Sequence, residues 1–134
     1  YGEGGDRFAG ATYDPCSHYR AAAVIDFFIE KGLTTQVLAN INRAQLERIQ
    51  AAFLAYDLDP GIISLDLNYS LAERGGFISL LTEYAAVITK LLHEQGIHMD
   101  SRTNYLRIGP APYVSDEQID SAMQALADII PTLK

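Results

Sequence analysis

Ile97-His98-Met99-Asp100, then Ser101-Arg102-Thr103-Asn104, then Tyr105-Leu106-Arg107-Ile108-Gly109: residues 97–109 decide the fold. Two short β-leaning runs flank a stretch of turn-forming residues, which predicts an antiparallel hairpin with strands over 97–100 and 105–109. Gly109-Pro110-Ala111-Pro112 ends the second strand, because proline has no N–H to give a ladder. Side chains alternate along a strand, so Leu106 and Ile108 share one face. Arg107 then points to the other face, beside Tyr105 and Gly109. An arginine held on a rigid strand offers a planar fork of donors to a carboxylate. A structural ion pair is the competing use of the same side chain.

Upstream of the hairpin, Thr82 is expected to cap a helix. Its apolar stripe is Ala85, Val87, Ile88, Leu91 and Leu92, and Gly96 closes it. Before it, Arg74-Gly75-Gly76-Phe77-Ile78-Ser79-Leu80-Leu81 reads as a strand led in by two glycines, and residues 62–67 are short and β-leaning. A longer helix is expected over 34–56, with Val37, Leu38, Ile41, Leu46, Ile49, Ala52, Phe53 and Tyr56 on its apolar face. Asp59-Pro60-Gly61 supplies turn chemistry after it. The first helix starts at Asp14-Pro15, carries Tyr19, Ala22, Ala23, Val24, Phe27 and Phe28 at helical spacing, and stops at Gly32. Downstream, Ser115-Asp116-Glu117-Gln118 has the form of a capping box. It opens a last helix along Ile119, Ala122, Met123, Leu126 and Ile130, stopped by Pro131. The order of elements predicts an α/β (α+β) fold: a small, mostly antiparallel sheet packed against helices.

The 134 residues fit one domain, and 49% hydrophobic with 20% charged residues is a globular composition. The net charge of −7 leaves no basic stripe for a nucleic acid. A single cysteine excludes an internal disulfide framework and a four-thiolate zinc site. No apolar run reaches the roughly 18 residues of a membrane span. Residues 1–13 are rich in glycine and the chain opens without Met, so a piece of a longer protein is expected.

Few residues carry chemistry. Cys16, Ser17 and His18 are consecutive, and helical neighbours point about 100° apart, so they cannot pair as nucleophile and base. His93 and His98 lack a third ligand at suitable spacing. Gly2-Glu3-Gly4-Gly5 has neither the preceding strand nor the Gly-Lys-Ser/Thr ending of a phosphate loop. Thr12 stands between the glycine-rich segment and a helix start, where backbone N–H groups favour anions. Its hydroxyl suits a phosphate there, and a plain loop threonine is the alternative.

At these positions the chain resembles a known family. Arg7-Phe8-Ala9-Gly10-Ala11-Thr12, followed by Ala21-Ala22-Ala23 and Phe27-Phe28, is similar to the second-half segment of class V aminotransferases, fold-type I pyridoxal-phosphate enzymes. Arg74-Gly75-Gly76-Phe77-Ile78-Ser79, Asp100-Ser101-Arg102 and Leu106-Arg107-Ile108-Gly109-Pro110-Ala111-Pro112-Tyr113 most resemble the kynureninase branch. The resemblance implies that 1–13 is a lead-in from a large domain and 14–134 is the C-terminal small domain. It implies that Thr12 contacts the phosphate of pyridoxal phosphate and that Arg107 binds the α-carboxylate of an amino-acid substrate. It further implies a cytoplasmic enzyme, with a large cofactor-binding domain and a homodimer partner. The family's Schiff-base lysine would precede Arg7, whereas the chain holds only Lys31, Lys90 and Lys134. No catalytic residue is therefore expected here, nor covalent cofactor binding by this chain, which should be inert alone. Residues 98–109 contain no cysteine, which sets aside desulfurase chemistry and leaves kynureninase-like hydrolysis or an aminotransferase or lyase reaction. A free-standing, non-catalytic α/β interaction domain derived from the same fold is the alternative.

Overall fold

The structure, a computed structural model, describes residues 3–4, 15–67 and 70–133. Contacts divide the chain into two compact units, Tyr1–Val37 and Leu38–Lys134. In the first, helix α1 (Cys16–Glu30) follows Pro15 at its N-cap; Asp14, the expected cap, lies outside the described residues. Pro15, expected at the first helical position, is thus the N-cap, one position before the helix. At the other end the Leu33 N–H reaches back to the Phe28 carbonyl at 2.8 Å, the closure expected at Gly32. None of the residues of α1 is buried, and Tyr19, Val24, Phe27 and Phe28 are all exposed.

Helix α2 (Thr35–Ala55) begins where the Thr34 hydroxyl accepts the Val37 N–H at 3.2 Å. Only its second half is buried, at Gln45, Leu46, Ile49 and Phe53. Val37, expected on the apolar face, is exposed. Asp59 then turns the chain, its Oδ1 accepting the Gly61 N–H at 2.9 Å. Strand β1 (Ser64–Leu65), a single 3₁₀ turn (Leu71–Glu73) and strand β2 (Ile78–Leu81) follow. Both strands are shorter than expected. Arg74 to Phe77 lie before the ladder, where the double glycine has no side chains to pack into a pleated surface.

Helix α3 (Ala85–Glu94) has Tyr84 at its N-cap without a side-chain cap bond. The expected cap, Thr82, instead closes the preceding turn by accepting the Tyr84 N–H at 3.1 Å. Ala85, Ile88 and Leu92 are buried, while Val87, expected in the stripe, is exposed. The helix ends at Gly96, whose φ of +78° is the left-handed conformation that glycine adopts without cost. The Ile97 N–H then caps the Leu92 carbonyl at 2.9 Å.

Strands β3 (Asp100–Arg102) and β4 (Tyr105–Ile108) form the antiparallel hairpin. Only Thr103 and Asn104 separate them, with Thr103 at a φ of +50°. A four-residue loop would have set Asp100 against Tyr105. The tighter turn shifts the register by two, so Arg102 faces Tyr105 and Asp100 faces Arg107. The sheet order is β1-β2-β4-β3, antiparallel throughout, with Ser79 opposite Arg107 and Leu80 opposite Leu106.

Helix α4 (Asp116–Ile129) starts with the expected capping box: Gln118 N–H to Ser115 Oγ at 3.3 Å, and Ser115 N–H to Gln118 Oε1 at 2.9 Å. Ser115→Ala removes an acceptor for an otherwise unpaired helix donor and is expected to cost about 1 kcal/mol, read as a lowered urea midpoint. The core gathers Leu80, Leu106, Ile78 and Ile108 from the sheet with Leu46, Ile49, Ile88, Leu92, Met123 and Leu126 from the helices. These residues lie on one face of the sheet. Ser79, Leu81, Tyr105, Arg107, Asp100 and Arg102 share the opposite face, and none of them is buried.

Arg48 on α2 clamps α4. Its Nε and Nη2 donate to the two Asp120 carboxylate oxygens at 2.7 and 2.6 Å, and Nη1 donates to Asp116 at 3.1 Å. The guanidinium holds the Asp120 carboxyl below its ordinary range. A depressed carboxyl stabilises the fold above its unfolded pKa, and that contribution is lost as pH falls through the folded one. Acid-limb unfolding curves are therefore expected to be steeper for the unaltered chain than for Asp120→Asn. Curves of equal slope would contradict the clamp.

Candidate substrate-carboxylate face

Arg107 lies on the sheet face opposite that of Leu106 and Ile108, as alternation along the strand predicts. Ser79 stands opposite it on β2 and Asp100 opposite it on β3. Its Nη2 donates to the Asp100 carboxylate, so the ion pair that competes with ligand binding is present. The guanidinium carbon lies 5.7 Å from the centroid of the Phe77 ring. Arg107 Nε is buried without a hydrogen-bond partner among the described residues. The side chain as a whole remains 30% exposed. Held by Asp100 and partly exposed, it presents a cation on the sheet face opposite the core.

A cavity of about 640 Å³ opens on the same face, lined by Leu65, Asp66, Arg74, Ser79, Leu81 and Tyr105 among others. Arg74 donates to the Asp66 carbonyl, tying the segment before β2 back towards β1. The wall combines apolar surface with hydroxyls and a second arginine, enough to seat a small polar molecule with an apolar portion. The sequence puts Tyr105 on the same face as Arg107 but does not reveal Phe77, Ser79 and Asp100 as its neighbours. A period of two gives the facing of Ser79 and Asp100 but not their pairing, and Phe77 lies before the ladder.

The other candidates are not brought to this face. Thr12 lies outside the described residues, as does most of the 1–13 lead-in. Cys16, Ser17 and His18 occupy the first turn of α1, and Cys16 is exposed. His93 and His98 meet edge to face, with ring centroids 4.5 Å apart. Among the described residues no group of three potential ligands could hold a metal ion. No helix among them is long and apolar enough to cross a membrane.

With this geometry in place, comparisons with known proteins define the relationship. In structure the chain is similar to a NifS-like protein, with a TM-score of 0.56 at 15% identity over 73% of this chain. The match covers 29% of that protein, so the chain spans less than a third of its neighbour's length. At this identity the likeness concerns the fold. No curated protein matches the sequence. The family described as the kynureninase C-terminal domain matches residues 44–126, from the middle of α2 to the last turn of α4 and including every strand among the described residues. The chain therefore belongs to the kynureninase C-terminal domain family.

Proposed function

We propose that this chain is the small domain of a pyridoxal-phosphate enzyme that acts on an amino acid, and that Arg107 binds the substrate α-carboxylate. The observation that carries the reading is the placement of Arg107: a partly exposed guanidinium on a rigid strand, on the sheet face opposite the core. Carboxylates bind arginine through two parallel N–H bonds, and geometry held by a strand preserves that fit. Family membership supports the reading, as does the small share of its structural neighbour that the chain spans. A large cofactor-binding domain and a homodimer partner belong to the proposal, as does a cytoplasmic setting. The reaction class is kynureninase-like hydrolysis or an aminotransferase or lyase step.

The described residues do not fit a cofactor site of their own. The aldehyde of pyridoxal phosphate needs a lysine amine, and both described lysines lie on or beside helices next to a glutamate. Lys31 follows α1 with its Nζ 2.7 Å from Glu30, and Lys90 is on α3, 4.0 Å from Glu94. Thr12 is proposed to contact the cofactor phosphate on the strength of the resemblance alone. What this chain contributes is binding and orientation: Arg107 fixes one end of the substrate, and the cavity beside Tyr105 and Leu81 receives another part of it.

Borohydride reduction after mixing with pyridoxal phosphate tests the division of labour. The isolated chain is expected to show only scattered, substoichiometric labelling. The complete protein should carry one stoichiometric pyridoxyl-lysine at a position other than Lys31 or Lys90. A stoichiometric label at either of those two lysines would contradict the proposal.

A further inference from the structure

We infer that Phe77 and Asp100 are positioning residues that hold the Arg107 guanidinium in the orientation that receives a carboxylate; this rests on the reading of Arg107 given above. An arginine side chain has four rotatable bonds, and its freedom must be lost when it grips a ligand. Binding strengthens when that loss has already been met within the protein. Here two contacts and partial burial restrain the group. Phe77 lies at cation–π distance from the guanidinium, 5.7 Å from centroid to carbon. Asp100, set opposite by the β3–β4 register, accepts from Nη2. Burial closes off Nε, which leaves the terminal Nη edge as the one a ligand can reach.

The location of Phe77 follows from the backbone. Gly109 comes so close that a Cβ built on it would stand 3.2 Å from Phe77 Cβ and 3.7 Å from the Gly76 carbonyl oxygen. A side chain at 109 would have to push Phe77 back by a few tenths of an ångström, so glycine keeps this corner close. Two side chains of α2 fasten the same corner. Asn42 Nδ2 donates to the Gly76 carbonyl at 3.1 Å. Gln45 Nε2 donates to the carbonyls of Ala111 and Val114, both at 3.0 Å. The start of β2 and the segment after β4 are thus fixed to one helix, and Phe77 is fixed with them. Its ring is nevertheless 42% exposed. An apolar ring left on an open face gains little from burial, and lying near a cation gives it a different use.

Asp100 could act in two opposite ways. It could hold the guanidinium in place, or it could occupy the fork until a substrate displaces it. The ion pair engages Nη2 from the side, on the neighbouring strand, while Ser79 stands on the other side. Support from the side favours holding.

The test is discrimination between two probes, L-alanine and ethylamine, which differ only by the carboxylate. Dissociation constants for both are measured on the complete, cofactor-loaded protein. A change that merely loosens the fold weakens both probes alike, whereas loss of positioning weakens only L-alanine. Phe77→Leu and Asp100→Ala are each expected to lower the discrimination about two- to fivefold, as loss of an exposed cation–π contact or ion pair implies. Phe77→Tyr, which keeps the ring face, and Asp100→Asn, which keeps an acceptor oxygen, are expected to restore most of it. Unchanged discrimination in Phe77→Leu and Asp100→Ala, with Arg107→Lys still losing it, would overturn the inference and leave the role of Arg107 standing. A rise in Asp100→Ala would show that Asp100 competes with the substrate and would overturn its part. Unchanged discrimination in Arg107→Lys would remove the underlying reading itself. Should Phe77→Leu fail to fold, the Asp100 variants still decide the outcome.

Discussion

Arg107→Lys in the complete enzyme is expected to weaken amino-acid binding by roughly 1.5–3 kcal/mol, the range for a hydrogen bond to a charged group. At about 1.4 kcal/mol per decade, that is about tenfold to a hundredfold or more in Kd. The cause is geometric. Lysine keeps the charge but offers a rotating point donor in place of a planar fork. Cofactor affinity should be unaffected, because no cofactor contact is assigned to this side chain. A purely structural role predicts a different pattern. Removing the pair with Asp100, whose side chain is 61% exposed, would lower thermal stability slightly and leave substrate Kd unchanged. Melting temperature and Kd measured on the same variant separate the two.

Leu106→Ala carries the largest expected effect on stability. The side chain is 0% exposed and faces Leu80, also 0% exposed, across the central pair of strands. Truncation loses the transfer energy of the removed methyl groups and leaves a cavity, about 2–5 kcal/mol in all. That is a large share of the roughly 5–15 kcal/mol typical of a folded domain. Tyr105→Ala, one residue away on the open face, should change stability by only about 0.5 kcal/mol. The contrast between adjacent positions checks which face is covered. Urea unfolding of both variants gives the answer, and similar losses at the two sites would contradict a one-sided sheet.

The hairpin, the capping box at Ser115 and the facing of Arg107 were legible because each depends on neighbours in sequence. Alternation at Leu106, Arg107 and Ile108 needs no tertiary information. The surroundings of Arg107 were not legible for the opposite reason. Asp100 meets it only because the turn at Thr103 is two residues long, with a β-branched residue at positive φ, which residue preferences disfavour. Ser79 meets it only because β2 lies between β1 and β4, a pairing set by the core and not by local sequence. Thr82 illustrates a local competition. Its hydroxyl can close a turn or cap a helix, and packing of the buried residue decided for the turn. Val87, expected in the apolar stripe of α3, is exposed, so the periodic pattern overstated the buried face.

The most direct test of the central claim is a crystal structure of the complete, cofactor-loaded protein with a bound amino acid that does not react. Both carboxylate oxygens are expected within hydrogen-bond distance of the Arg107 Nη atoms, with Phe77 still beside the guanidinium. A carboxylate bound elsewhere, with Arg107 contacting only Asp100, would contradict it.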